Sequence, residues 1–267
     1  MDSMKRFGLM LLALVFATAG VHAQDDELES FDWDDVEEDF DNTDPYYAVA
    51  GGFTTTLHFG NFDDITGMMN QVLPDEGDIT SPMVMTGWEV VLALGFVENL
   101  RVGYSSMSGT DIHEGSVQIT PNGSEPVTVD RRFQYSMDFQ GPVVDYAIQL
   151  SNDFAVLPGL GVYFGTMQIN SSQSSGDRSF DSEFDFGADN LNNYRLLEAS
   201  HISLGLSLDI EYIVTNFAMI RVNGGYMLSL TTGDWEVDRI VSPVSNAPGF
   251  DTSGLTLQGG IFVGLFN

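Results

Sequence analysis

Cysteine is absent from this chain, and lysine occurs once, at Lys5. With no cysteine there is no disulfide framework, so an exported fold would have to hold by backbone pairing and packing alone. Beyond residue 23 the positive side chains are seven arginines, set against a formal net charge of −30 for the whole chain. Nucleic-acid phosphates need basic surface, so no nucleic-acid partner is expected. Proline is sparse and glycine abundant, with 12% aromatics. That profile favours strands over linkers or helices. No phosphate-binding loop and no histidine pair at metal-ligand spacing is present, so no cofactor and no metal are expected. After the N-terminal segment no apolar run reaches the length that crosses a bilayer as a helix. Any membrane association would therefore be as a closed barrel or at the surface.

The N-terminal segment, 1–23, opens with Lys5 and Arg6 and continues with an apolar run from Phe7 to about Thr18. It closes on Val21-His22-Ala23, small at the two positions a signal peptidase reads. This reads as a cleaved signal peptide. Residues 24–45 follow as an acidic tail, with twelve Asp and Glu between Gln24 and Asp44. Like-charge repulsion and few aliphatics predict a disordered, periplasmic segment.

From Tyr46 onward the hydrophobic period is two. In Ile202 to Tyr212, large apolar residues at even positions alternate with small or charged ones such as Ser203, Gly205, Ser207, Asp209 and Glu211. Alternation of that length is a strand whose two faces meet different surroundings. The same design recurs over Tyr46–His58, Thr86–Val97, Leu100–Ile112, Val129–Leu150, Phe154–Ile169, Phe217–Leu230 and Thr252–Phe266. In the fourth of these the apolar set changes parity between Phe139 and Val144, which predicts a bulge at Gly141-Pro142. Tight connections at Glu98-Asn99, Ser151–Asp153 and Thr215-Asn216 alternate with long polar loops, about 59–85, 113–128, 170–200 and 231–251. Short turns at one end and long loops at the other predict an all-β chain, an eight-stranded antiparallel up-and-down transmembrane β-barrel over 46–267. Asp63–Val72 in the first loop could form a helical turn. The second loop, near Val117–Gly123, reads as a hairpin tip, and Phe180–Phe186 in the third as a strand extension.

Signal, eight strands, three tight turns and four long loops together resemble the small outer-membrane β-barrel proteins of Gram-negative bacteria, of the OmpX, OmpW and OmpA-barrel types. The last strand carries Gln258-x-Gly260-x-x-Val263-x-Leu265, similar to the signal read by the barrel assembly machinery. Here it ends Phe266-Asn267, with the aromatic penultimate rather than last. The resemblance covers Tyr46 to Phe266 as architecture. It implies location in the cell outer membrane, with outer-membrane lipid and the assembly machinery as partners, and a monomer.

With the apolar face on lipid, the lumen would receive Glu89, Arg101, Asp138, Asp145, His201, Asp209, Glu211 and Arg221. An eight-stranded interior is just wide enough for side chains to fill, and buried charges must pair. Counting back from Thr215-Asn216 puts Arg221 opposite Ile210, between Asp209 and Glu211, and counting from the second loop brings Arg101 near Asp145. Tyr163 and Met167 are expected with these charges in the turn-side half. The expected role is a structural plug of ion pairs. His201-Ile-Ser203 is similar to the His-x-Ser of outer-membrane lipid A deacylases, but the residues that follow that motif are missing. Glu211, on the same strand and roughly 27 Å from Ser203 by strand rise, could not complete a triad. Asp177, Asp181, Glu183, Asp185 and Asp189 do not follow the order of a calcium loop. The expected function is therefore a non-enzymatic barrel with an envelope-structural or surface-interaction role. The alternatives are a narrow solute channel and, less favoured, a lipid-modifying enzyme. A soluble lipocalin-like binder would need its apolar face turned inward.

Overall fold

A computed structural model describes residues 48–74, 76–120, 125–176, 192–237, 240–243 and 249–266. The signal segment, the acidic tail, the tip of the second loop, Phe180–Phe186 and the five third-loop carboxylates lie outside the described residues. The strands are β1 (Ala48–Gly60), β2 (Met83–Ala93), β3 (Leu100–Ile119), β4 (Val127–Tyr146), β5 (Ile148–Ser151), β6 (Phe154–Ser174), β7 (Asn193–Thr215), β8 (Ala218–Thr232), β9 (Glu236–Val237), β10 (Ile240–Pro243) and β11 (Gly254–Phe266). One helix, α1 (Asp63–Val72), interrupts them in the first loop. All pairings are antiparallel, and they run β1–β2–β3–β4–β6–β7–β8–β11 and back to β1. The ring therefore closes on eight strands, with β5 prolonging β4 and β9 and β10 lying in the fourth loop.

Closure satisfies every ring strand on both edges, which is what permits such a chain to sit in lipid. The outer face carries the apolar set: on β7 Leu206, Leu208, Ile210 and Tyr212 are exposed, on β8 Ile220, Val222, Tyr226 and Leu228, on β11 Leu255, Leu257, Ile261, Val263 and Leu265. An exposed aliphatic belt around a closed ring, with buried polar residues inside, is the inverse of a soluble barrel and marks a membrane-spanning one. Among the described residues no helix is long and apolar enough to cross a membrane.

Several strand ends differ from the sequence reading. β3, β4, β6 and β7 extend farther toward the loops than their apolar alternation does, because polar residues such as Ser116, Thr128 and Asn170 remain paired beyond it. β2 begins earlier, at Met83, and stops at Ala93, so the connection to β3 is a wider turn closed by Leu94 N–H on Leu100 O, with Asn99 at φ 62°. β1, β8 and β11 shift by one to two residues.

The bulge expected at Gly141-Pro142 is not there. The β3–β4 register runs without a slip from Leu100–Tyr146 to Ile119–Val127. The parity change has a different cause: the loop-side half of the lumen is itself apolar. Phe133, Tyr135, Met137 and Phe139 point inward there, and Val143 and Asp145 continue the same odd-numbered face toward the turns.

That apolar half is the larger of two cores. α1 lies over the loop-end mouth and buries Ile65 and Met69 against Met83, Met85, Met107, Phe133 and Tyr135, with Trp235 and Phe250 from the fourth loop. Its acidic first turn, Asp63 and Asp64, suits the positive end of the helix, and Arg131 Nη1 donates to Val72 O at 3.0 Å at the other. At the turn end a smaller layer of Ala48, Ala50, Val91, Leu157, Met219, Phe262 and Phe266 closes the lumen.

Candidate functional site

Between the two apolar layers lies a belt of charge. Arg101, fully buried, donates from Nε and Nη2 to Asp145 Oδ2 at 3.1 and 2.8 Å and from Nη1 to Glu211 Oε1 at 2.6 Å, with Asp209 3.8 Å away. Arg221 donates to the same Glu211 Oε1 at 2.8 Å and to Glu89 Oε1 at 2.5 Å. Its guanidinium also lies 4.0 Å over the Phe262 ring. Asn223 donates to Asp209 Oδ1. Glu211 thus bridges the two arginines, and strands on opposite sides of the ring are tied through it. Such groups are held only because each has charged partners, since isolated burial costs several kcal/mol.

Local sequence explains the placement. Each charge sits on an inward position of its strand, and Arg101 pairs in register with Asp145, Glu211 with Arg221. The predicted position of Arg221 opposite Ile210 is corrected by one residue. The β7–β8 turn carries a register shift between Ile213 and Thr215, and residues opposite each other must face the same side. Glycine makes the room: a Cβ on Gly159 would run into the Asp145 carboxylate and the Ser207 hydroxyl.

Asp138 does not join the cluster. Without a bulge it falls on the even-numbered, outward face of β4, where its Oδ1 accepts from Thr166 N–H at 3.2 Å. Its carbonyl meets His201 Nε2 at 2.9 Å. Met167 is also misplaced by the sequence reading. It belongs to the loop-side core, because β6 has already climbed past the charges at that point. Tyr163 packs at the junction, edge-on to Phe139.

Two features escaped the sequence reading. One is a polar cavity of about 40 Å³ beside the charges, lined by Thr56, Glu89, Asp145, Tyr163, Ser207, Asp209, Asn223, Thr256 and Gln258, with Met107 and Met227 toward the loop end. It is large enough for water, and three carboxylates, Glu89, Asp145 and Asp209, give it acidic walls. Thr56 and Thr256 carry no sequence pattern that marks them, and Gln258 is marked only through the assembly-signal motif; strand pairing across the closed ring brings them beside Glu89 and Asp209. The other is Phe262, whose ring closes the arginine layer from the turn side.

His201 and Ser203 are both buried. Ser203 Oγ is 3.5 Å from His201 Nδ1 and 2.7 Å from Thr252 Oγ1, and Phe139 packs edge-on against the imidazole at 4.8 Å between centroids. His58 nearby packs on Phe62 and Phe139. His201 meets a backbone carbonyl where a triad would place a carboxylate, and aromatic side chains cover it. No group of three or more metal-ligating side chains occurs among the described residues. Of the assembly-signal residues, Val263 and Leu265 face outward, Phe266 is buried in the turn-end core, and Gln258 donates to Thr56 Oγ1 at 3.0 Å, with Gly260 next along the inner face.

No family model matches the sequence, and no curated protein matches it. Among solved structures, the chain is similar to Ail, the attachment invasion locus protein of Yersinia pestis, solved with the heparin analogue sucrose octasulfate. The two share 11% identity at a TM-score of 0.37, over 84% of this chain and 100% of that one. A major outer membrane protein of Thermus thermophilus aligns at 11% identity and a TM-score of 0.44, over 82% and 99%. The outer membrane protein OprG of Pseudomonas aeruginosa aligns at 12% and 0.31, over 83% and 94%. The outer membrane protease OmpT of Escherichia coli is also matched, at 9% and 0.32, over 83% and 93%. Likeness at this level assigns no activity. The chain's own strand pairings make it a closed eight-stranded antiparallel β-barrel with an apolar outer belt.

Proposed function

We propose that this chain is a closed, non-enzymatic barrel of the outer membrane, with a structural or surface-interaction role exercised through its loop end. The observation that supports this most directly is the stacking of the lumen. An apolar core under α1, a paired charge layer and a second apolar layer at the turns follow one another, so water meets two dry barriers across the bilayer. The loop end, with its long strands and acidic loops, faces outward from the cell, and the tight turns face the periplasm.

Planar-bilayer recording tests this. Purified protein is expected to show no stable conductance of the kind a sixteen-stranded porin gives; a steady current of that size would overturn the closed reading. A narrow channel is the second reading, favoured by the polar cavity beside Glu89, Asp145 and Asp209. It would require α1 to leave the mouth, and weak cation-selective current that rises in Arg221→Ala would support it.

A further inference from the structure

The outer face of the barrel is not apolar all the way round. On β7 the lipid-facing positions stay apolar from Tyr212 through Ile202, and on β8 from Ile220 through Leu230. On β3 they change after Leu100, Val102 and Tyr104 to Ser106, Ser108 and Thr110, and on β4 after Val144 and Pro142 to Gln140, Asp138 and Ser136. These two strands are register neighbours, Ser106 with Gln140, Ser108 with Asp138 and Thr110 with Ser136, so the six side chains form one polar window.

The turn-ward part of the window, Ser106, Ser108 and Gln140, lies within the depth of the apolar belt, and Asp138, Thr110 and Ser136 continue it to the loop-side rim, where β6 and β7 also turn polar at Thr166 and Ser200. Register partners followed round the ring from Arg101 run Asp145, Gly159, Ser207, Gly225, Thr256, His58 and Met83. Met83 sits just loop-ward of the Met85–Gly109 pair, so the path returns to β3 nearly half a strand above its start. Each step from β3 to β4, β6 and β7 therefore climbs toward the loops. Phe164, the partner of Gln140, and Ile202, the partner of Phe164, both face lipid and both stand higher than Gln140. On the other flank Val84 is exposed beyond Trp88, whose partner is Ser106. Within the wall Thr110 and Ser136 hydroxyls bond each other at 3.0 Å, Gln140 Oε1 accepts from Tyr104 at 3.4 Å and Asp138 Oδ1 from Thr166 N–H, and lipid tails satisfy none of the donors and lone pairs left over.

We propose that a second copy of the chain covers this window, β3 and β4 of one barrel against β3 and β4 of the other. Two copies in one membrane pair about an axis along the bilayer normal, which brings equal depths together, so window meets window. The surface is self-complementary. Serine and threonine hydroxyls and the Gln140 amide both donate and accept, and the Asp138 carboxylate accepts. Ser106 and Ser108 are small enough to let two walls approach closely, the arrangement by which polar and small side chains drive association inside membranes. A lipid headgroup would sit above the level of Ile202 and Leu230, out of reach of Ser106 and Gln140.

The absence of cysteine makes a clean test. Ser108→Cys and, as the opposite-face control, Leu257→Cys are expressed singly and oxidised or treated with a short bis-maleimide in isolated outer membranes. The expected result is a cross-linked dimer from Ser108→Cys in about fivefold or greater excess over Leu257→Cys. Adding Asp138→Leu and Gln140→Leu to Ser108→Cys should return it to the control level while heat-modifiable gel mobility shows the barrel still folded. Equal cross-linking at both faces, or none at Ser108→Cys in a folded barrel, overturns the proposal. So does a thiol at Ser108→Cys that stays monomeric and becomes maleimide-reactive only after delipidation, which would assign the window to bound lipid. A conducting but dimeric barrel would sink the closed-lumen reading and leave this one standing.

Discussion

Individual side chains decide the lumen. Arg221 holds Glu211 and Glu89 at once, so Arg221→Ala leaves two buried carboxylates each short of a partner. The expected loss is about 3–5 kcal/mol, read as a fall in the urea or heat midpoint of the gel-mobility shift. An unchanged midpoint would mean that water reaches the layer. On the outer face the prediction is a contrast between neighbours. Leu206→Arg, exposed to lipid, should cost about 2–4 kcal/mol near the midplane. Ser207→Ala, beside the polar cavity, should be nearly silent. Equal damage at both would show that the two faces are assigned the wrong way round.

Among the elements, α1 is the one that a barrel does not need and this one has. Its stability rests on the contact of Ile65 and Met69 with the loop-side core and on Arg131 at its C-terminal carbonyls. Met69→Ala, which empties a fully buried site, should cost about 2–5 kcal/mol of the stability with which the mouth stays closed. Gly67 is exposed and helical with open space around it, so Gly67→Ala should stabilise by about 0.5–1 kcal/mol. Hydrogen exchange over 63–72 measures both. If neither substitution alters protection, the helix is not part of the core. The four long strands β3, β4, β6 and β7 are the second departure from a minimal barrel. They rise beyond β1, β2, β8 and β11 on one side only, and of them β4 packs against α1.

At the scale of the molecule, orientation follows from loop length. Protease added to intact cells should cut between Ser174 and Asn193, the third loop, and spare the turn at 94–99. Cleavage confined to the short turns would invert the topology. A closed ring of eight strands also explains why charge is tolerated inside at all. The interior is narrow enough that six charged side chains from β2, β3, β4, β7 and β8 reach one another directly.

How much of this the residues carry on their own can be followed strand by strand. Period-two patterning on Ile202–Tyr212 and its counterparts marks the strands and their lipid face, because side chains alternate on a strand whatever it pairs with. Loop and turn lengths then suggest an up-and-down ring. Local pattern could not distinguish a bulge at Gly141-Pro142 from a lumen that changes from polar to apolar along its axis, since both change the parity of the apolar set. That ambiguity sent Asp138 to the wrong face. The one-residue error at Arg221 has the same character: register depends on turn geometry, and the shift between Ile213 and Thr215 leaves no mark in composition. Phe262, Thr256 and Gln258 become neighbours of the charges when β11 pairs with β8, and Thr56 joins them when β11 closes on β1. The sequence alone thus determined strand identity, the lipid face and the need for buried charges to pair, because these depend on nearest neighbours along the chain. Tertiary structure decided which charges meet, that α1 packs into the loop-side core, and that one face of the belt is polar, because each of these depends on the register and tilt of strands distant in sequence.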